Sequence, residues 1–194
     1  MKRDDVLDFF TQLDRLPKGD RTALKREAGT MLHEAGGRAI QAFYKCMLPT
    51  IPERYDDRFF AAACLHCLWS EDTQNRLPME QIFYQLGKDT QISASTEHRL
   101  VGILDLTWGE DGFLLGKLAR LIKLAKSKNY AVDCAALLID LIYWNGLKQT
   151  VQLRWVRSLY MRQQRENADT NAEKKSKLHL PVHPHLRGAY TGPP

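Results

Sequence analysis

No apolar run in this chain is long enough to cross a bilayer, because the longest candidates are interrupted by His66 and Asp140. The opening Met1-Lys2-Arg3-Asp4-Asp5 lacks the unbroken apolar segment of a secretory signal. Alternating β-branched runs joined by hairpin turns are essentially missing, which argues against a sheet. Cysteine is scarce: Cys46, Cys64, Cys67 and Cys134 sit in apolar, helix-like contexts and not between short loops. That usage excludes a disulfide scaffold and predicts reduced thiols in a cytoplasm. Phosphate-cradling glycine loops, zinc-protease helices and nucleophile elbows are also missing, so no familiar catalytic pattern is present.

The most informative absence is local. Gly112–Val132 contains no acidic residue and carries Lys117, Arg120, Lys123, Lys126 and Lys128. Leu141–Arg165 is equally free of acid and carries Lys148, Arg154, Arg157, Arg162 and Arg165. The chain as a whole is +5, so everything outside these two stretches sums to −5. Charge segregated in this way builds a positive surface on an otherwise mildly acidic protein. A polyanion is its natural partner, nucleic acid the commonest one.

At 194 residues and 44% apolar composition the chain suits a single compact bundle. Its periodicity predicts an all-α fold of eight or nine helices over residues 1–165, with lobes 1–92 and 93–165 as an alternative division. Helices are expected over Asp4–Leu13, Lys18 to Gly29, Arg38–Leu48, Tyr55–Ser70, Met79–Leu86, Glu97–Leu106, Asp111–Lys128, Cys134–Trp144 and Lys148–Arg165. Pro78 suits the first helical position of the fifth, and Asp133 the cap of the eighth. The final stretch, 166–194, holds four of the eight prolines and no helical period, so it is expected to be a mobile tail.

On a helical wheel the two acid-free helices share one design. With Lys117 at zero, Leu114, Leu118, Leu121, Ile122, Leu124 and Ala125 fall between about −20° and 140°, while Lys126, Lys123 and Arg120 lie near 180°, 240° and 300°. With Lys148 at zero, Trp155, Leu159, Val156, Tyr160 and Leu153 occupy the apolar arc, and Arg157, Arg154, Arg165 and Arg162 the opposite one. Soluble helices usually mix signs on the wet face, because like charges four apart repel. Two helices that tolerate this repulsion imply a counter-charge from outside. The plainer reading is a solvated face paired with acids elsewhere in the fold.

Other constellations are weaker. Cys64-Leu65-His66-Cys67 has the look of half a zinc site, yet neither Cys46 nor Cys134 supplies the second pair of ligands, and core cysteines are the better reading. His179, His183 and His185 lie in the Pro-rich tail without a rigid surround. Glu110-Asp111 and Asp56-Asp57 read as acids that offset a helix dipole. Four tryptophans offer stacking platforms, with core packing the safer role for most. Neither a catalytic set nor a metal or other cofactor is expected.

Several segments together resemble the CasB family, the small subunit of the type I-E CRISPR surveillance complex called Cascade. They are Lys18-Gly19-Asp20-Arg21-Thr22-Ala23-Leu24-Lys25-Arg26, Arg38-Ala39-Ile40-Gln41-Ala42-Phe43-Tyr44 and Glu97-His98-Arg99-Leu100-Val101-Gly102-Ile103-Leu104. The Leu118–Leu121 helix, the helix ending in Tyr143-Trp144 and the Trp155 helix follow in the family's order. The likeness spans roughly residues 5–165, and the succession carries it more than any one motif. It implies a non-enzymatic helical subunit, present in two copies among other Cascade subunits. It further implies contact with crRNA and target DNA, including the displaced strand of the R-loop. By segment, the family's basic residues map onto Arg21, Lys25, Arg26, Arg99, Lys117, Arg120, Lys123, Arg154 and Arg157, and the wheel adds Lys126. The alternative is a protein-interaction adaptor whose basic helices dock an acidic partner.

Overall fold

The computed structural model describes residues 2–69, 73, 75–88, 93–109 and 111–161. These residues form α1 (Arg3–Asp14), α2 (Lys18–Arg26), α3 (Gly37–Cys46), α4 (Asp56–His66), α5 (Met79–Lys88), α6 (Ser93–Leu104), α7 (Phe113–Ser127) and α8 (Cys134–Tyr143). A ninth helix, α9, runs from 150 to 161, where the described residues end. No sheet forms among the described residues. One parallel bridge joins Leu77 to Val132, with Leu77 N donating to Ala131 O and Asp133 N to Leu77 O, each at 2.8 Å. No helix among them is long and apolar enough to cross a membrane. The expected tail lies outside the described residues.

The pattern of burial explains the layout. Along α4, every residue from Phe59 to His66 is buried. A helix that is apolar on all sides belongs in the middle. It packs against α2, α7 and α8, while α3 closes over α1 and α2. Phe9 of α1 meets Phe59 edge-on at 4.9 Å, and Phe43 of α3 meets Phe60 at 5.5 Å. Farther along the chain, Trp155 of α9 seats against Trp144 at 5.0 Å and Phe83 of α5 at 5.6 Å. All four tryptophans are buried.

Helix ends differ from expectation for local reasons. The fourth helix stops at His66 because Leu68 N and Trp69 N turn back to Leu65 O and His66 O, the tighter i−3 pattern. The second stops at Arg26, and Gly29 then takes a left-handed φ of +108°. The last begins at 150, after Gln149 breaks the helix with a φ of +47°. Asp133 caps α8 as expected, its Oδ1 accepting from Ala135 N and Ala136 N at 3.0 Å. Pro78 sits one position earlier than expected, its carbonyl accepting from Gln81 N and Ile82 N at the mouth of α5.

The α7 wheel holds, with one informative addition. Leu114, Leu115, Leu118, Leu121, Ile122 and Ala125 are buried, but so is Ala119, near 200° on the supposedly wet side. A Cβ at Gly29 would sit 3.0 Å from Ala119 Cβ, so the turn that follows α2 lies directly on that flank of α7. On α9 the buried apolar stripe is Val151, Trp155 and Leu159, spaced four apart, with the buried Gln152 beside it; Leu153, assigned to the apolar arc, is 63% exposed. The α9 helix therefore packs along a narrower line than its sequence arc implied.

Candidate nucleic-acid interface

The cations of α7 point two ways. On the flank covered by α2 and α4, Lys123 Nζ donates to Ala28 O at 3.0 Å and Lys126 Nζ donates to Leu68 O. Each carbonyl lies two residues past a helix end, α2 in the first case and α4 in the second. On the other flank Lys117 Nζ donates to Gly102 O at 2.8 Å, in the last turn of α6. That carbonyl is free because Leu106 N bonds Ile103 O instead. Helix C-termini carry partial negative charge and unpaired carbonyls, which suits an ammonium. The counter-charge expected from outside is thus supplied in part by the backbone of three neighbouring helices. Burial, and then the nearby charge of Lys25, lower the Lys126 ammonium from its ordinary value.

Between α6 and α7 runs a groove of about 540 Å³, lined by His98, Arg99, Gly102, Ile103, Lys117, Arg120, Leu121 and Leu124. It gathers three of the sequence-predicted site residues and no acid. Arg99 and Arg120 are exposed. Sequence reasoning missed His98 and Gly102, although positions 98, 99, 102 and 103 share one helical face by their spacing. A Cβ at Gly102 would stand 3.1 Å from Lys117 Nζ, so the glycine leaves room for that ammonium to reach the carbonyl.

The remaining candidates separate. Lys25 and Arg26 are exposed on the last turn of α2. Arg21, assigned to the interface from its segment, is turned inward instead: it is buried and ion-paired with Asp14 at 3.1 Å. Its position on the face of α2 toward the core makes it a fastening, not a contact for solvent. On α9, Arg157 is exposed, whereas Arg154 pairs with the buried carboxylate of Asp140. Trp155 Nε1 donates to the other Asp140 oxygen at 2.8 Å. Burial raises the Asp140 carboxyl above its ordinary value, and the bonds from Arg154 and Trp155 pull it partly back. The faces of α7 and α9 are not one contact: α6 packs on α7, and its Glu97 accepts from Tyr160 of α9. Arg162 and Arg165 lie outside the described residues.

The cysteine–histidine cluster has other work. His66 is buried, with Nε2 2.8 Å from Asp14 Oδ1 and Nδ1 3.2 Å from Arg76 Nη1. An arginine donates only, so Nδ1 accepts and Nε2–H donates to Asp14. Burial lowers the imidazole's pKa, which suits that neutral form. Burial likewise pushes the Cys46 and Cys67 thiols up to about 12, as fits cysteines packed in the core. No cluster of three or more potential ligands exists among the described residues. Of the paired acids, Asp111 accepts from Phe113 N at the start of α7, as a helix-end acid should, and Glu110 lies outside the described residues.

An all-α chain that presents a cationic groove beside a buried aromatic core is the class these features define. The family model of CRISPR-associated protein Cse2 matches residues 20–160, and the chain belongs to that family. Among solved structures, it is similar to M. ruber CasB, at 18% identity and a TM-score of 0.64 over 91% of this chain and 98% of the other. A chain of a CRISPR RNA-guided surveillance complex matches at 20% identity and a TM-score of 0.69, over 87% and 98% respectively. A Cse2-family protein from Thermus thermophilus matches at 22% and 0.64, over 81% and 97%. At these identities the structures share the fold. No curated protein matches the sequence.

Proposed function

We propose that this chain is a non-catalytic subunit of a type I-E RNA-guided surveillance complex. In that role it grips nucleic-acid backbone without regard to sequence and stabilises the R-loop, including its displaced strand. The observation that carries the reading is the acid-free α6–α7 groove, with Arg99, Lys117 and Arg120 along it. Lys25, Arg26, Lys123 and Lys126 continue the positive surface onto α2 and the far flank of α7, and exposed Arg157, beside the Asp140-paired Arg154, adds a second patch on α9. Its partners would be the other subunits of the complex, a second copy of itself, crRNA and target DNA.

The energetics suit a modest grip. Exchange of a DNA duplex for a guide–target heteroduplex is nearly balanced, so weak contacts to the released strand tip it. Phosphate contacts from lysine and arginine fix position but carry no sequence information, which the guide supplies. Fluorescence anisotropy of the full chain with mixed-sequence single-stranded DNA, duplex DNA and RNA tests this across a salt series. The expected result is binding that ignores sequence, with log K falling linearly as log salt rises. Absence of binding to all three at low salt would overturn it.

A further inference from the structure

The α6–α7 groove has more in it than a row of charges. Its floor is apolar, made by Ile103 of α6 and by Leu121 and Leu124 of α7. Ile103 and Leu121 are buried, while Leu124 is only half covered and closes the floor from the α7 side. Arg99, Lys117 and Arg120 stand along the groove, with His98 one residue before Arg99. A site meant only for phosphate needs no apolar floor, since phosphate stays hydrated and is met by donors at the surface. An apolar slot of about 540 Å³ is within the range that encloses a small organic ligand.

We infer that this groove takes one unstacked base of a single strand, laid on the half-open Leu124 with Ile103 and Leu121 closing the floor beneath it, and with the adjoining phosphates on Arg99 and Arg120. The inference rests on the nucleic-acid reading above and deepens it. The charged residues that line the groove are all basic, which selects a polyanion over an apolar peptide or a neutral metabolite. The floor then selects a polyanion with a flat, poorly hydrated group beside each charge. A duplex keeps its bases paired inside and offers the groove backbone alone, so the site distinguishes single strands by shape. The planar guanidinium of Arg99 or Arg120 also stacks on a base face, a contact that tolerates any base. Lys117 is held by Gly102 O at the groove wall, which steers its charge without filling the slot.

The test compares a mixed-sequence DNA strand with a strand of equal length whose residues are abasic, so that phosphates are kept and bases removed. Binding to the full chain is read by anisotropy competition at low salt. The abasic strand is expected to bind roughly tenfold more weakly, the size of one base–side-chain stacking contact. Leu124→Arg, which adds a cation and blocks the floor, is expected to erase that difference by strengthening abasic binding and weakening normal binding. Equal affinity of the two strands for the unaltered chain would overturn the base pocket and leave the backbone grip standing. Failure of both strands to bind would overturn the grip and the pocket together.

Discussion

The two acid-free helices, α7 and α9, read alike in sequence and meet different fates in the fold. On α7 three lysines reach backbone carbonyls at the ends of α6, α2 and α4, leaving Arg120 on the groove. On α9 one arginine reaches a buried carboxylate, Asp140, leaving Arg157 in solvent. A run without acid is therefore not a run of free charge. Its cations find partners in helix termini, which no count of aspartate and glutamate reveals, or in a carboxylate from a different helix. The α7 arrangement leaves each lysine partly open to solvent, whereas Arg154 holds a buried anion in place.

That contrast yields a graded set of expectations. Asp140→Ala should be the most damaging, at about 3 kcal/mol in urea unfolding, because it strands the fully buried Trp155 indole N–H and leaves a cavity where the carboxylate sat. Asp140→Asn keeps an acceptor for the indole and should cost far less. The same pair separates by pH. Burial raises the folded carboxyl above 3.8, so as pH falls from that folded value toward 3.8 the native state takes up a proton the unfolded chain does not. The Asp140 contribution to stability therefore increases on acidification through that window. Urea midpoints for Asp140→Asn should lack this rise.

Gly29→Ala addresses the covered flank of α7 and should cost about 2 kcal/mol, since both a left-handed φ and the close approach to Ala119 oppose a methyl group. A thermal unfolding curve unchanged from the parent would break the idea that the turn after α2 docks on α7 through this residue. Lys123→Met comes next, at about 0.5–1 kcal/mol for the lost hydrogen bond to Ala28 O. Smallest in stability are Arg120→Ala and Arg157→Ala, each expected within about 0.5 kcal/mol of the parent. These two are instead expected to lower the salt slope of nucleic-acid binding by about 1 per lost phosphate contact. Reversal of Lys123 or Arg154 would mix both effects, so Arg120 and Arg157 give the cleaner readout.

The helices themselves were legible because their apolar spacing and caps are local. The α7 stripe and the Asp133 cap followed from spacing and side-chain chemistry alone. What stayed hidden depended on contacts between distant segments. Arg21 looked like any basic residue of α2 until Asp14 of α1 was placed beside it. The extra burial of Ala119 required the chain reversal at Gly29. The groove needed α6 and α7 side by side, and only then do His98 and Gly102 acquire meaning. Leu153 misled because a wheel assumes that a helix buries its whole apolar arc, and α9 buries a narrow line.

The small bridge between Leu77 and Val132 has a consequence for motion. It ties the segment that opens α5 to the segment that joins α7 to α8, through two backbone hydrogen bonds that share Leu77. Opening either segment breaks both bonds at once, although 56 positions separate Leu77 from Asp133 along the chain. The amide hydrogens of Leu77 and Asp133 should therefore show one common protection factor in hydrogen–deuterium exchange. A local loosening at the start of α5 would be felt at once at the start of α8, its neighbour in space though far along the chain.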